Sequence, residues 1–220
     1  MRNPLTAGKT AGSCLVVPRE GKCPGVLVLH SWWGPTPFFK NLCNQLADEG
    51  FVALAPDLYH GATASTIDKA KNLRSKLKNT IVVKEITAAV EHLRSHQGVS
   101  GNKIGVLGFS LGGCWALGLA GLKPDDVAAV VVFYGTRTMN CAKTRAAFLG
   151  HFAEDDKWAS VKRVHQLEEK MRSAGKEVTF HIYPKTNHWF FEEDRPEAYN
   201  PEAAEQAWQR SIEFLRNKLT

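Results

Sequence analysis

Seven short apolar runs recur along the chain, at residues 14–17, 26–29, 51–54, 104–107, 128–133, 147–152 and 178–182. Short, largely apolar runs like these suit strands covered on both faces. Helical patterns lie between them. Residues 38–49 place Phe39, Leu42, Cys43 and Leu46 at helical spacing, and 80–96 do the same with Ile81, Val82, Ile86, Ala89, Val90 and Leu93. The stretches 161–174 and 201–219 complete the series. Strands alternating with helices predict an α/β fold, a mostly parallel, doubly wound sheet of about seven or eight strands flanked by helices. No shift in composition, repeat or low-complexity stretch divides the chain, and 220 residues is an ordinary length for one domain, so residues 1–220 are read as a single α/β domain.

A net charge of +6 raises the question of nucleic acid. The basic residues are scattered among acids, however, and the densest stretch, 69–78, reads as a solvated helix face rather than a phosphate track. No nucleic-acid partner is expected. The five cysteines are odd in number and form no CxxC pair, which fits reduced thiols in a cytoplasmic protein. The first residues, Met-Arg-Asn-Pro-Leu-Thr, lack the apolar core of a signal peptide, and no run of 18 apolar residues offers a membrane span. No metal or cofactor is expected. There is no HExxH pattern, and the glycines around 108–113 lack the Lys of a phosphate loop.

The chemistry is concentrated at Gly108-Phe109-Ser110-Leu111-Gly112-Gly113. An apolar run leads into it and a helical pattern with Ala116, Leu117 and Leu119 follows, which is the strand–turn–helix context of a nucleophile elbow. The nucleophile of such an elbow sits in strained backbone where strand and helix nearly touch, so the residues two before and two after it must be small. Gly108 and Gly112 meet that demand. The Leu111 N–H, at the start of the helix, is the expected first oxyanion donor. In α/β-hydrolases a second donor comes from the loop after an earlier strand, which here places it at Trp32. Cys114, one helical turn past Ser110, reads as a buried small residue rather than a second nucleophile.

A serine hydroxyl needs a base, and the base a carboxylate to orient it. In this fold the order along the chain is Ser, acid, His. His30, His60, His92 and His96 precede Ser110; His165 falls in a helical stretch, His181 in a strand, and His151 near the end of a strand, ahead of the acids. His188 alone follows the last apolar run, in Lys185-Thr186-Asn187-His188-Trp189-Phe190. The acid should lie after the run 147–152, where Glu154, Asp155 and Asp156 are adjacent. Composition does not choose among the three, and such a loop can also cap the helix that follows.

These segments resemble the dienelactone hydrolase family over nearly the whole chain. The matching stretches are 25–34 (Gly-Val-Leu-Val-Leu-His-Ser-Trp-Trp-Gly), 55–59 (Ala-Pro-Asp-Leu-Tyr), 105–113 (Gly-Val-Leu-Gly-Phe-Ser-Leu-Gly-Gly), 150–156 (Gly-His-Phe-Ala-Glu-Asp-Asp) and 183–190 (Tyr-Pro-Lys-Thr-Asn-His-Trp-Phe). The resemblance implies Asp156 as the acid and His188 as the base. The family's archetype carries a cysteine where Ser110 stands, and a glutamate where Ser31 stands, which implies ordinary Ser-His-Asp acyl transfer here. The archetype also carries an arginine shortly after its histidine; this chain reads Trp189-Phe190-Phe191-Glu192-Glu193 there, which argues against its acidic lactone.

The expected activity is therefore hydrolysis of a small ester or lactone by Ser110, His188 and Asp156. Trp33, Phe38, Trp158, Trp189 and Phe190 flank the same loops and are read as an apolar pocket for a neutral acyl or aromatic group, the alternative being that most of them are core. A peptidase or thioesterase on the same residues, or a binding protein of this fold without catalysis, are the competing readings. The expected partner is the small-molecule substrate, with no membrane, for a monomer or a homodimer.

Overall fold

The structure, a computed structural model, describes residues 12–219. The N-terminal segment read as lacking a targeting core lies largely outside the described residues. Among the described residues, seven strands form one sheet: β1 (Cys14–Val16), β2 (Cys23–Leu29), β3 (Val52–Ala55), β4 (Val99–Phe109), β5 (Val127–Phe133), β6 (Ala147–Asp155) and β7 (Val178–Asn187). Their order is β1-β3-β2-β4-β5-β6-β7. Only the edge strand β1 runs antiparallel to its neighbour; every other pairing is parallel.

Among the described residues, six α-helices cover the sheet: α1 (Pro37–Asp48), α2 (Ile67–Lys76), α3 (Asn79–Ser95), α4 (Leu111–Leu122), α5 (Val161–Ser173) and α6 (Pro201–Leu219). The two-residue period of the strands divides the core into two layers. Val26, Val28, Leu107, Phe109, Val131 and Phe133 face α1 and α6, whereas Leu27, Leu29, Ile104, Val106, Val130 and Val132 face α3, α4 and α5. This is why the inner strands read as nearly continuous apolar runs, with both faces buried, whereas the edge strands β1 and β7 are only partly covered.

The elements fall where the periodicity places them, with two differences. Strands extend past their apolar runs: β4 begins at Val99 through the exposed Gly101, Asn102 and Lys103, and β7 continues through Pro184 to Asn187. Paired backbone continues where the side chains no longer need to be apolar. The second difference is α2. It buries only Ala70, so its sequence has no apolar stripe, and it is held at its ends. The Thr66 hydroxyl accepts from Lys69 N, Asp68 lies in the first turn, and Arg74 and Lys76 lie in the last, matching the helix dipole. No helix among the described residues is long and apolar enough to cross a membrane.

Candidate active site

β4 lies at the middle of the sheet and delivers Ser110 at its carboxyl end, directly before α4. Ser110 has φ 51° and ψ −108°, a backbone region that L-residues rarely adopt. Its N–H donates to Phe133 O at 2.9 Å, and its own carbonyl accepts from Cys114 N at 3.1 Å. The flanking glycines are there for space. A methyl on Gly108 would strike the carbonyl of Gly112, and one on Gly112 would strike the carbonyl of Leu29. The small residues therefore let strand, turn and helix converge on one hydroxyl.

That hydroxyl is 2.8 Å from His188 Nε2. His188 follows β7 immediately, and its Nδ1 is 2.7 Å from Asp156 Oδ2. The other oxygen of Asp156 accepts from Trp158 N at 2.7 Å and Ala159 N at 2.8 Å, which fixes the carboxylate plane. Both side chains are buried. With Nδ1–H donating to Asp156, Nε2 is left to accept from Ser110, so a proton can pass from hydroxyl to imidazole. Of the three adjacent acids only Asp156 reaches His188. Asp155 still belongs to β6 and is exposed, and Glu154 accepts from Lys185 N at 2.9 Å.

Ser110 and His188 open onto a cleft of about 280 Å³ also lined by Trp32, Leu111, Cys114, Tyr134, Trp158, Arg74 and Arg163. The backbone N–H groups of Trp32 and Leu111 have no hydrogen-bond partner among the described residues, which leaves both free to donate to a ligand oxygen. The turn that carries Trp32 is held by His30, whose Nδ1 donates to Ser31 O (2.7 Å) and whose Nε2 accepts from Leu58 N (3.2 Å). Burial holds His30 below the usual histidine range, so it stays neutral. Cys114 lines the cleft, but burial pushes its thiol up and away from the reactive thiolate.

The aromatic residues expected to line the pocket separate into two groups. Trp158 lines it and is 45% exposed. Trp33, Phe38, Trp189 and Phe190 do not line it; they are buried in the layer beneath α1 and α6. Trp33 and Trp189 support Trp32 from below, at ring separations of 5.5 and 5.9 Å. Phe38 packs edge-on against Phe39 and Phe109, and Phe190 against Tyr134. Proximity in sequence to a site loop does not tell a side chain's direction, and large apolar groups here turn toward the core. Phe38 also borders a separate depression of about 270 Å³, with Glu193, Tyr199 and Trp208, that contains none of Ser110, Asp156 or His188.

Sequence reasoning missed Arg74 and Arg163. The expected neutral pocket is thus a cleft bearing two cations, Arg74 from the last turn of α2 and Arg163 from the first turn of α5. Neither sits in a motif. Each is one of many basic residues on solvated helices, and only the fold brings them to the same opening. Among the described residues no group of three His, Cys, Asp or Glu side chains is placed to hold a metal ion.

Residues 12–219 match the model of the dienelactone hydrolase family. Protein usf of Aquifex pyrophilus is 32% identical over 206 residues, covering 90% of this chain and 89% of that one. Carboxymethylenebutenolidase of Rhodococcus opacus is 29% identical over 210 residues, covering 89% and 81%. Among solved structures, a dienelactone hydrolase-like promiscuous phosphotriesterase from metagenomic libraries superposes with a TM-score of 0.80 at 21% identity, covering 92% and 89%, a likeness of fold.

Proposed function

Because this chain belongs to the dienelactone hydrolase family, we propose that it hydrolyses a small carboxylic ester or lactone by acyl transfer through Ser110. The observation that carries the reading is the unbroken hydrogen-bond chain from Ser110 through His188 to Asp156, at 2.8 and 2.7 Å, opening onto a cleft.

Ser110 Oγ attacks the carbonyl carbon as His188 Nε2 takes its proton. Asp156 keeps the imidazole in the accepting tautomer and stabilises the imidazolium. The N–H groups of Leu111 and Trp32 donate to the oxyanion. Collapse expels the alkoxide, which takes the proton from His188, and leaves the acyl group on Ser110. Water then attacks the acyl carbon, gives a proton to His188, and the acid departs as Ser110 recovers its proton. For a lactone the leaving alkoxide stays tethered to the acid.

Arg74 and Arg163 favour substrates that also bear an anionic group, consistent with a family member named carboxymethylenebutenolidase. Replacing either arginine with Ala is expected to raise KM for a carboxylate-bearing ester roughly tenfold while leaving kcat, and the KM of a neutral ester, nearly unchanged. Equal effects on both esters would remove the arginines from substrate recognition.

The reading is tested by hydrolysis of short p-nitrophenyl esters, with mapping of the residue labelled by a fluorophosphonate. Turnover, a label on Ser110 and loss of both in Ser110→Ala are expected. A folded protein with neither turnover nor label would mark it as a binding protein, and a label on Cys114 would move the nucleophile.

A further inference from the structure

An acid that the acyl-transfer steps do not use lies against them. Glu192, four residues past His188, is fully buried. Its Oε2 is 2.8 Å from Ser31 Oγ, and its Oε1 is 2.8 Å from the Tyr134 hydroxyl. The three residues come from three separate segments. Ser31 directly precedes Trp32 in the turn after β2. Tyr134 follows β5 and rests its ring on that of His188, centroids 4.8 Å apart. Glu192 belongs to the loop that carries His188. Two residues of this assembly, Tyr134 (φ 40°) and Trp189 (φ 70°), are held in left-handed backbone that bulky residues normally avoid. Strain of this kind persists only where the surroundings over-determine it, and one hydrogen bond of Glu192 ends on the strained Tyr134.

We propose that Glu192 is a positioning residue, clamping the His188 loop both to the turn that carries Trp32 and to the tyrosine on which His188 rests. The inference builds on the Ser110 reading above.

The clamp depends on a proton. Burial raises the Glu192 carboxyl to about 8; Ser31 and Tyr134 pull it down, Asp194 pushes it up, and Arg195 pulls it down. The charged and titratable groups facing it are Tyr134 after β5, Asp194 and Arg195 on its own loop, and Asp156 and His188 across Tyr134. Arg195 turns its guanidinium onto the face of Trp33, at 4.5 Å, and toward Asp194 instead of forming an ion pair with Glu192. In the neutral form the carboxyl donates to one hydroxyl and accepts from the other. Ionised, it accepts from both and sets an uncompensated negative charge behind the oxyanion turn, opposing the charge that forms there during acyl transfer.

The experiment measures kcat and KM on p-nitrophenyl acetate from about pH 6 to about pH 10. Wild-type kcat should fall on the alkaline side with a midpoint near that of Glu192, about 8. Glu192→Leu should lower kcat on the order of 10- to 100-fold at neutral pH with KM little changed. Glu192→Gln should restore most of that loss and lack the alkaline fall. An alkaline limb unchanged in Glu192→Gln, or wild-type kcat in Glu192→Leu, overturns the proposal. If the Leu variant does not fold, Ser31→Ala and Tyr134→Phe each remove one bond of the clamp; lowered kcat in either supports it and wild-type kcat in both overturns it. Ser110→Ala separates the two readings. If it retains turnover, the acyl-transfer reading fails. If it is inactive and the Glu192 variants behave as wild type, only the clamp fails.

Discussion

Ser110 is the residue at which folding and chemistry oppose each other. Its backbone, at φ 51° and ψ −108°, costs on the order of 1–3 kcal/mol for a residue with a Cβ. Ser110→Gly should therefore be more stable than Ser110→Ala, by roughly 1 kcal/mol in denaturant unfolding, although both lose activity. Equal stabilities would mean that the turn is not strained. The adjacent carboxylates give a second comparison. Asp156→Asn should lower kcat on the order of 10⁴-fold, by stranding His188 in the wrong tautomer, and Asp155→Asn, in an exposed side chain, should leave it within about twofold. Reversed effects would mean that the loop rearranges in solution. Chain order alone selects His188, because only one histidine follows the last strand. It leaves Glu154, Asp155 and Asp156 unresolved, since the distinction lies in where β6 stops, which one residue of register decides. Nothing local marks Glu192. A glutamate in a polar, proline-bearing stretch reads as surface, and its burial depends on hydroxyls 161 and 58 residues away in sequence.

At the scale of the element, convergence at the elbow depends on missing side chains. Gly108 and Gly112 approach backbone carbonyls rather than flexible side chains, so a methyl there cannot be absorbed by a rotamer change. Gly112→Ala should destabilise the fold by about 1–3 kcal/mol or more and displace α4 from β2, lowering esterase activity with it; thermal unfolding and kcat measure the two effects. Gly121, later in α4, has open space around its Cβ position, with Asn140 O at 3.8 Å as its nearest neighbour, and Gly121→Ala should be neutral or stabilising. The elements legible in sequence are those with an apolar period, the core strands and α1, α3, α5 and α6, together with α4, marked by the elbow that precedes it. α2 has no such period and reads only as a solvated basic face, yet it supplies Arg74 to the cleft. A helix defined by its ends rather than by its face is what pattern reading sees least well.

At the scale of the molecule, the sheet order brings the ends of β2, β4, β5, β6 and β7 to one side, where Trp32, Ser110, Tyr134, Asp156 and His188 meet. Alternation of strand and helix foretold the doubly wound sheet, but it carries no information on which helices cover which face. Buried titratable groups make the stability of this assembly pH-dependent. His30 and His151 are buried neutral, with burial holding His151 well below the usual histidine range and its ring hydrogen-bonded to Tyr183 and Ser211. The unfolded chain binds protons to them first, so their contribution is complete above pH 6.5 and is lost as the pH falls below it. Glu192 works in the other direction. Its folded carboxyl holds a proton from 4.5 up to about 8, so its contribution is complete below 4.5 and is lost on rising through 8. Denaturant midpoints should therefore carry two opposing contributions, a rise up to pH 6.5 from the histidines and a fall between pH 4.5 and about 8 from Glu192 that levels off above it. Glu192→Gln should remove a falling slope of up to about 1.4 kcal/mol per pH unit between pH 4.5 and about 8. A slope unchanged by this substitution across that window would mean that Glu192 is already ionised in the folded state.

The indoles around the cleft have a use unrelated to their packing. Trp32 and the half-exposed Trp158 line the opening with ring centroids 5.0 Å apart, while Trp33 and Trp189 behind them are shielded. Trp115 is buried with α4, and Trp208 borders the separate depression. A ligand entering the cleft must displace water from the first two and leave the other four in unchanged surroundings. The molecule thus carries its own optical reporter: occupancy of the cleft can be read as a shift of ultraviolet emission toward shorter wavelength, with no dye attached and no turnover required.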